Sequence, residues 1–405
     1  MYFTPKRLRL YLSALLVLEL IICFGFRSSI RSGAIDFRGY YTAGYMLRTG
    51  RAHLLYDYPT EQYLQNTLVA PAPLTLLFFA PPFAALPFAP LSLLSYRSAF
   101  SVLLAVNLAM LLLAARIMRP HLRALTCRWR PTATLLFLAF LPAGLTLVMG
   151  QLSIALLVIA CFAFILLEAE RPLLAGLVFS LALIKLQVAL PVALLFFLWR
   201  RWRFTLGFLL GAALLSALSA AIVGPGNLPS YLHSITHTSA LAGTQLQSAV
   251  GIGPRRMANL YGLFFTLSPT NRLATVLSAA ASIAVLAWAA TRKPSLPLAL
   301  LAGILVSYHL YLCDLTLLLL PISLLCDSLF AEEPAPQLTQ ISWLERSRRP
   351  ILFCSLGVFL ITPALIESIV NDLIFLLALP IFALALCPLD WSTAAPEVTP
   401  APLHS

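Results

Sequence analysis

The sequence predicts an all-α protein threaded repeatedly through a membrane, and three observations carry that prediction. Hydrophobic residues make up 60% of the 405-residue chain, only 10% are charged, and mean hydropathy is +0.90. A soluble domain carries about 25% charged residues. Apolar stretches of roughly 15 to 25 residues, long enough to cross a bilayer as helices, follow one another from Leu8 to Leu389. The ten-residue alternation of a membrane β-barrel is not seen, and an open backbone of any other kind cannot satisfy its hydrogen bonds in lipid.

The spacing of polar punctuation predicts twelve spans, near residues 8–26, 98–118, 132–148, 152–167, 172–184, 188–199, 203–223, 273–290, 297–312, 315–329, 351–370 and 373–388. The first is an uncleaved helix, because Arg27 follows it without a small-residue cleavage site. With the N-terminus inside, the inside connections hold 17 of the 27 basic residues: Lys6, Arg7, Arg9, Arg116, Arg119, Arg123, Arg128, Arg130, Arg171, Arg200, Arg201, Arg203, Arg292, Lys293, Arg346, Arg348 and Arg349. This is the positive-inside asymmetry. It accounts for the net charge of +12 without nucleic acid as a partner. Residues 1–390 are thus expected to form one multi-pass domain in the inner (plasma) membrane, and 391–405 a disordered tail, with both termini cytoplasmic.

One apolar run, 172–198, is interrupted by Lys185 and Gln187. A lysine at mid-membrane in a single span costs about 2.5–3.5 kcal/mol, so two short helices meeting at Lys185 are predicted. Glu19, in the first span, is expected to make a polar contact with a neighbouring helix. The seven cysteines fall singly, without CxxC spacing, and read as small core residues. His233 and His237 are one helical turn apart but lack a third ligand, so neither a metal nor any other cofactor is expected.

Two long segments fall outside, 27–97 and 224–272, and point to chemistry on that face. In the first, Phe37, Tyr40, Tyr41, Gly44 and Tyr45 recur at helical spacing behind Asp36, with Gly50 as a stop. The pattern predicts a short amphipathic helix lying at the membrane surface with Asp36 at its N-cap. A second short helix is predicted from Pro59, with Asp57 as turn or cap residue and Glu61 and Gln62 in its first turn. Residues 70–91 hold six prolines among apolar residues, which predicts broken helices packed on protein rather than a span. Asp36, Asp57, Glu61, Asp314, Asp372 and Glu367 are the carboxylates expected near the outer face, the first three readable as caps or as proton acceptors.

The string DFRGYYTAGYMLRTG followed by LYDYPTEQ resembles the signature of glycosyltransferase family 87, membrane enzymes similar to polyprenyl-phosphate-mannose-dependent α-1,2-mannosyltransferases. The later strings GQLSIALLVIA, IKLQVALPVALLFFLWRRWR, RRMANLYGLF and SYHLYLCDLTLLLLP resemble further segments of that family in the same order. Here Lys185 precedes Leu186 where the family often has proline, and Tyr308 precedes His309. The resemblance implies a GT-C fold, a polyprenyl-phosphate-sugar donor, a glycan or glycolipid acceptor, and transfer on the extracytoplasmic face in the cell envelope. It implies Asp36 as general base. Lys185, His309, Arg255 and Arg256 are then candidates to meet the donor phosphate, with Tyr40, Tyr41, Gln151 and Asn259 candidates to bind substrate. Asp57, Glu61 and Asp314 remain secondary acids. A secondary transporter or lipid flippase is the competing class, since intramembrane charges mark substrate paths. No internal repeat supports it.

Overall fold

The computed structural model describes residues 5–72, 75–127, 129–231, 233–234, 257–268 and 270–330. Among the described residues every regular element is a helix. Helices α1 Pro5–Gly25, α2 Arg27–Ser32, α3 Phe37–Arg48, α4 Tyr58–Leu68, α5 Phe88–Leu91 and α6 Tyr96–Met118 form the N-terminal part. They are followed by α7 Arg123–Thr126, α8 Thr132–Leu138, α9 Leu141–Met149, α10 Ser153–Glu168, α11 Pro172–Phe179, α12 Leu186–Leu198 and α13 Trp202–Val223. The last described helices are α14 Leu260–Leu267, α15 Asn271–Ala290, α16 Leu296–Val306 and α17 Leu319–Phe330.

Among the described residues five helical stretches are long and apolar enough to cross a membrane, Lys6–Arg48, Tyr96–His121, Pro172–Leu198, Trp202–Val223 and Asn271–Ala290, and a bent pair, α8 and α9, makes a sixth if it is one span. Two of the five are not straight. The first changes direction of chain at Gly33, whose φ of +71° closes α2 before α3 begins. The third doubles back. Phe179 of α11 and Phe196 of α12 both lie against Phe204, at 6.0 and 3.8 Å between ring centroids, whereas a continuous helix would set them about 25 Å apart. Lys185 sits at the tip with φ −126° and ψ 85°, outside helical geometry. The two short helices expected on either side of Lys185 are therefore present.

Ten predicted spans fall among the described residues and each coincides with helix, while 351–370 and 373–388, like the tail, lie outside them. Two differ in detail. Residues 132–148 are not one rod but two helices bent by 54°. Pro142 lies in the first turn of α9, where its missing N–H is tolerated, and Phe140 before it is extended. The span predicted to run to 312 stops at Val306. Residues 307–311 are irregular and 312–318 form a 3₁₀ helix before α17. Non-helical backbone at such depth is tolerated where it lines a cavity.

A larger correction concerns α3, which is not a surface helix. Phe37, Arg38, Gly39, Tyr41, Thr42, Ala43, Gly44 and Met46 are all buried. Two glycines make this possible: a Cβ on Gly39 would lie 2.4 Å from the Leu76 carbonyl oxygen, and one on Gly44 2.3 Å from the Phe88 carbonyl. The proline-rich segment therefore packs over α3 as a lid of extended chain, a 3₁₀ turn at Pro82–Ala85 and α5. Glu19 of α1 is also buried. It lies against Gly144 of α9, where a Cβ would meet its Oε1 at 2.0 Å.

Candidate active site

Three turns of non-helical chain meet at one cavity: the Gly33–Asp36 connection before α3, the Gly150–Leu152 connection before α10, and the 307–311 loop. The hairpin tip at Lys185 closes it. Its walls are formed by Asp36, Tyr40, Leu76–Ala80, Gln151, Ile184–Gln187, Tyr231, Tyr308, His309, Tyr311 and Asp314, around a volume of about 160 Å³.

Asp36 does not cap α3. Its backbone is already helical, at φ −58° and ψ −27°, and its side chain bonds to no N–H of that helix. Instead its Oδ2 accepts from the Gln151 amide Nε2. Gly150, with φ +68°, ends α9 in a left-handed turn that turns Gln151 toward this contact. The same side chain presents Oε1 to Lys185 Nζ at 3.2 Å. One amide thus joins the carboxylate to the ammonium, with its orientation fixed at both ends.

Lys185 forms an ion pair with Asp314 Oδ1 and donates to Ser153 Oγ at 3.3 Å. Ser153 Oγ donates to the same Asp314 oxygen at 2.6 Å, and the Tyr311 N–H donates to Oδ2 at 3.2 Å. Asp314 thus accepts three hydrogen bonds, whereas the Asp36 side chain accepts one among the described residues. Of the two carboxylates, Asp36 keeps more lone pairs open to the cavity.

His309 lies beside Phe79 and Tyr311, with ring centroids at 6.1 and 5.0 Å. Its ring faces the cavity, where it can offer a ligand an N–H. Its backbone carbonyl accepts from Gln187 Nε2 at 3.0 Å and Ser307 Oγ at 3.2 Å. Asn259 stands behind this loop rather than in the cavity. It donates to the Ser307 carbonyl at 2.6 Å and caps α14 by accepting from the Gly262 N–H at 2.9 Å.

The remaining sequence candidates take other places. Tyr40 lines the cavity, stacked on Phe88 at 5.0 Å. Tyr41 faces away, its hydroxyl donating to the Leu94 carbonyl at 2.8 Å. Asp57 caps α4, accepting from the Thr60 N–H at 3.0 Å. Glu61 is buried and accepts from the Phe78 N–H at 3.1 Å, so it braces the cavity wall from behind. Arg255, Arg256, Glu367 and Asp372, like His237, lie outside the described residues.

Sequence reasoning did not single out Ser153, Tyr231 or the clamp under the cavity wall. In that clamp the buried Arg38 donates to Gln65 Oε1 at 3.1 Å, Asn66 Oδ1 at 2.9 Å and the Ala70 carbonyl at 2.5 Å. Gln65 also pairs with both backbone groups of Leu76. The available signal was helical spacing, which puts Glu61 and Gln65 one turn apart on α4.

The family model described as glycosyltransferase family 87 matches residues 78–321, well over half of the chain. No curated protein and no solved structure matches. The matched region holds Gln151, Lys185, His309 and Asp314 and begins after Asp36. A match over that share of a helical, membrane-capable chain shows its family: the chain belongs to glycosyltransferase family 87.

Proposed function

We propose that this glycosyltransferase moves a sugar, mannose by family resemblance, from a polyprenyl-phosphate donor to a hydroxyl of a glycan or glycolipid. The observation that carries the reading is the Asp36–Gln151–Lys185 chain on one cavity wall. It brings a proton acceptor and a cation for a departing phosphate within one amide of each other. The acceptor oxygen attacks the anomeric carbon while the bond from that carbon to the phosphate oxygen breaks. Asp36 takes the hydroxyl proton, and polyprenyl phosphate leaves as the anion toward Lys185 and the His309 N–H. A single displacement inverts the anomeric carbon, so a β-linked donor gives an α-linked product.

Aromatic and aliphatic walls at Tyr40, Phe78, Phe79, Tyr308 and Ile184 suit a sugar ring and the first units of a lipid chain. On this reading the cavity opens on the extracytoplasmic side of a GT-C-like fold in the inner membrane. Support comes from Arg171, Arg200, Arg201 and Arg203, which lie at the ends of α11, α12 and α13 remote from the Lys185 tip. The test is purified protein in detergent with a radiolabelled lipid-linked mannose and a soluble mannoside. Product formation without any gradient is expected of an enzyme. Its absence, with donor moved only across sealed vesicles, would favour the carrier reading.

A further inference from the structure

We propose that a second site, a basic groove at the far end of α6, binds the headgroup of an anionic phospholipid. The groove is lined by Leu113, Arg116, Ile117, Arg119, Arg123 and Ile165, with Pro120 and Thr126 at its edge, around about 1120 Å³ of space open to solvent. It is remote from the active-site cavity. Asn107, which donates to the Gln151 carbonyl, marks the cavity's level on α6, and Arg116 begins about 13 Å further along the helix axis.

Its two halves have different chemistry. Leu113 is 40% exposed on the flank of a helix that crosses the bilayer, and Ile117 and Ile165 continue that apolar wall. The three guanidiniums follow at the helix end, where the chain leaves the apolar layer through Pro120. Arg116 and Arg123 are exposed and Arg119 half-buried. Among the described residues none of the three is paired with a carboxylate. Glu168 lies within electrostatic range of His121, but it does not line the groove. Arg123 Nε donates to the Pro120 carbonyl at 3.4 Å, and guanidiniums without a carboxylate partner above an apolar wall match a phosphodiester above an acyl chain, since Arg pairs with phosphate oxygens in a bidentate fork. Basic pockets between membrane helices are a recurrent form of lipid recognition.

The test compares wild type, the triple variant Arg116→Gln/Arg119→Gln/Arg123→Gln, and a comparator pair, Arg130→Gln/Arg203→Gln, outside the groove. Native mass spectrometry of detergent-purified protein titrated with phosphatidylglycerol or phosphatidylcholine of identical acyl chains reads lipid binding. Wild type and comparator should retain phosphatidylglycerol in preference to phosphatidylcholine. The triple variant should lose at least about tenfold in affinity for it, and salt should weaken the wild-type binding. Inorganic phosphate at the same concentration should not displace the lipid. Equal retention by the triple variant, equal retention of phosphatidylcholine, an equal loss in the comparator, or displacement by phosphate alone would each overturn the proposal. Should the triple variant melt early, Arg116→Gln and Arg123→Gln singly should each show part of the loss, and no loss in either would overturn it.

Discussion

Lys185 and Asp314, 129 residues apart in sequence, form an ion pair in the cavity wall, with their side chains 11% and 3% exposed. Breaking a buried pair from one side leaves an uncompensated charge and costs about 3–5 kcal/mol. Lys185→Met should therefore lower the unfolding midpoint as well as donor affinity. Adding Asp314→Asn should restore most of the stability and none of the activity. A double variant as unstable as the single one, measured by thermal unfolding in detergent, would contradict the pairing.

Gln151 is expected to act as a positioning residue. Its N–H bond to Asp36 fixes the carboxylate's orientation. Gln151→Leu should lower kcat far more than it changes donor KM, and Gln151→Glu, which keeps the size but not the N–H, should not restore it. Equal changes in kcat and KM would leave Gln151 with packing alone.

How far the sequence disclosed the site depends on whether partners are near or far along the chain. The hairpin at Lys185 was legible because a charge inside an apolar run has few physical solutions. Asp57 was legible as a cap because its partner, Thr60, is three residues away. Asp36 looked like a cap on the same local logic, yet its partner Gln151 is 115 residues away. Nothing local encodes that distance. The burial of α3 was hidden for a related reason: Gly39 and Gly44 read as ordinary helix positions until a second segment is laid across them.

Glu61 offers a pH test outside the membrane spans. Burial, with a contribution from Asp57, raises its carboxyl well above the ordinary value despite the Phe78 N–H. The folded chain thus holds a proton that the unfolded chain releases, so the associated stability is fully present below the ordinary carboxylate range and is lost as pH rises toward the raised value. Glu61→Gln keeps an acceptor for Phe78 and cannot ionise. Its unfolding midpoint should match wild type near pH 4, about the ordinary carboxylate value, and exceed it at alkaline pH. A difference independent of pH would contradict the assignment.

Gly44→Ala should shift α3 away from Phe88, since its Cβ has no room against a backbone carbonyl. Overpacking of this kind costs about 1–3 kcal/mol, and the displacement should reduce turnover by moving Asp36. Gly25→Ala, where nothing lies within 4 Å of the added carbon, is the neutral comparator. Equal midpoints and equal turnover for the two variants would contradict the close packing of α3.

The proposed reaction rests on Asp36 as the base. Asp36→Asn keeps the size of the side chain and a partner for Gln151 but removes the proton acceptor. The measurement is turnover and donor affinity of purified protein in lipid discs, with lipid-linked mannose and a soluble mannoside, for wild type, Asp36→Asn and Asp57→Asn. General-base contributions run to about 100- to 10,000-fold. Asp36→Asn should therefore lose at least about two orders of magnitude in turnover while still binding donor, and Asp57→Asn should lose little. Near-normal turnover in a well-folded Asp36→Asn variant would contradict the account.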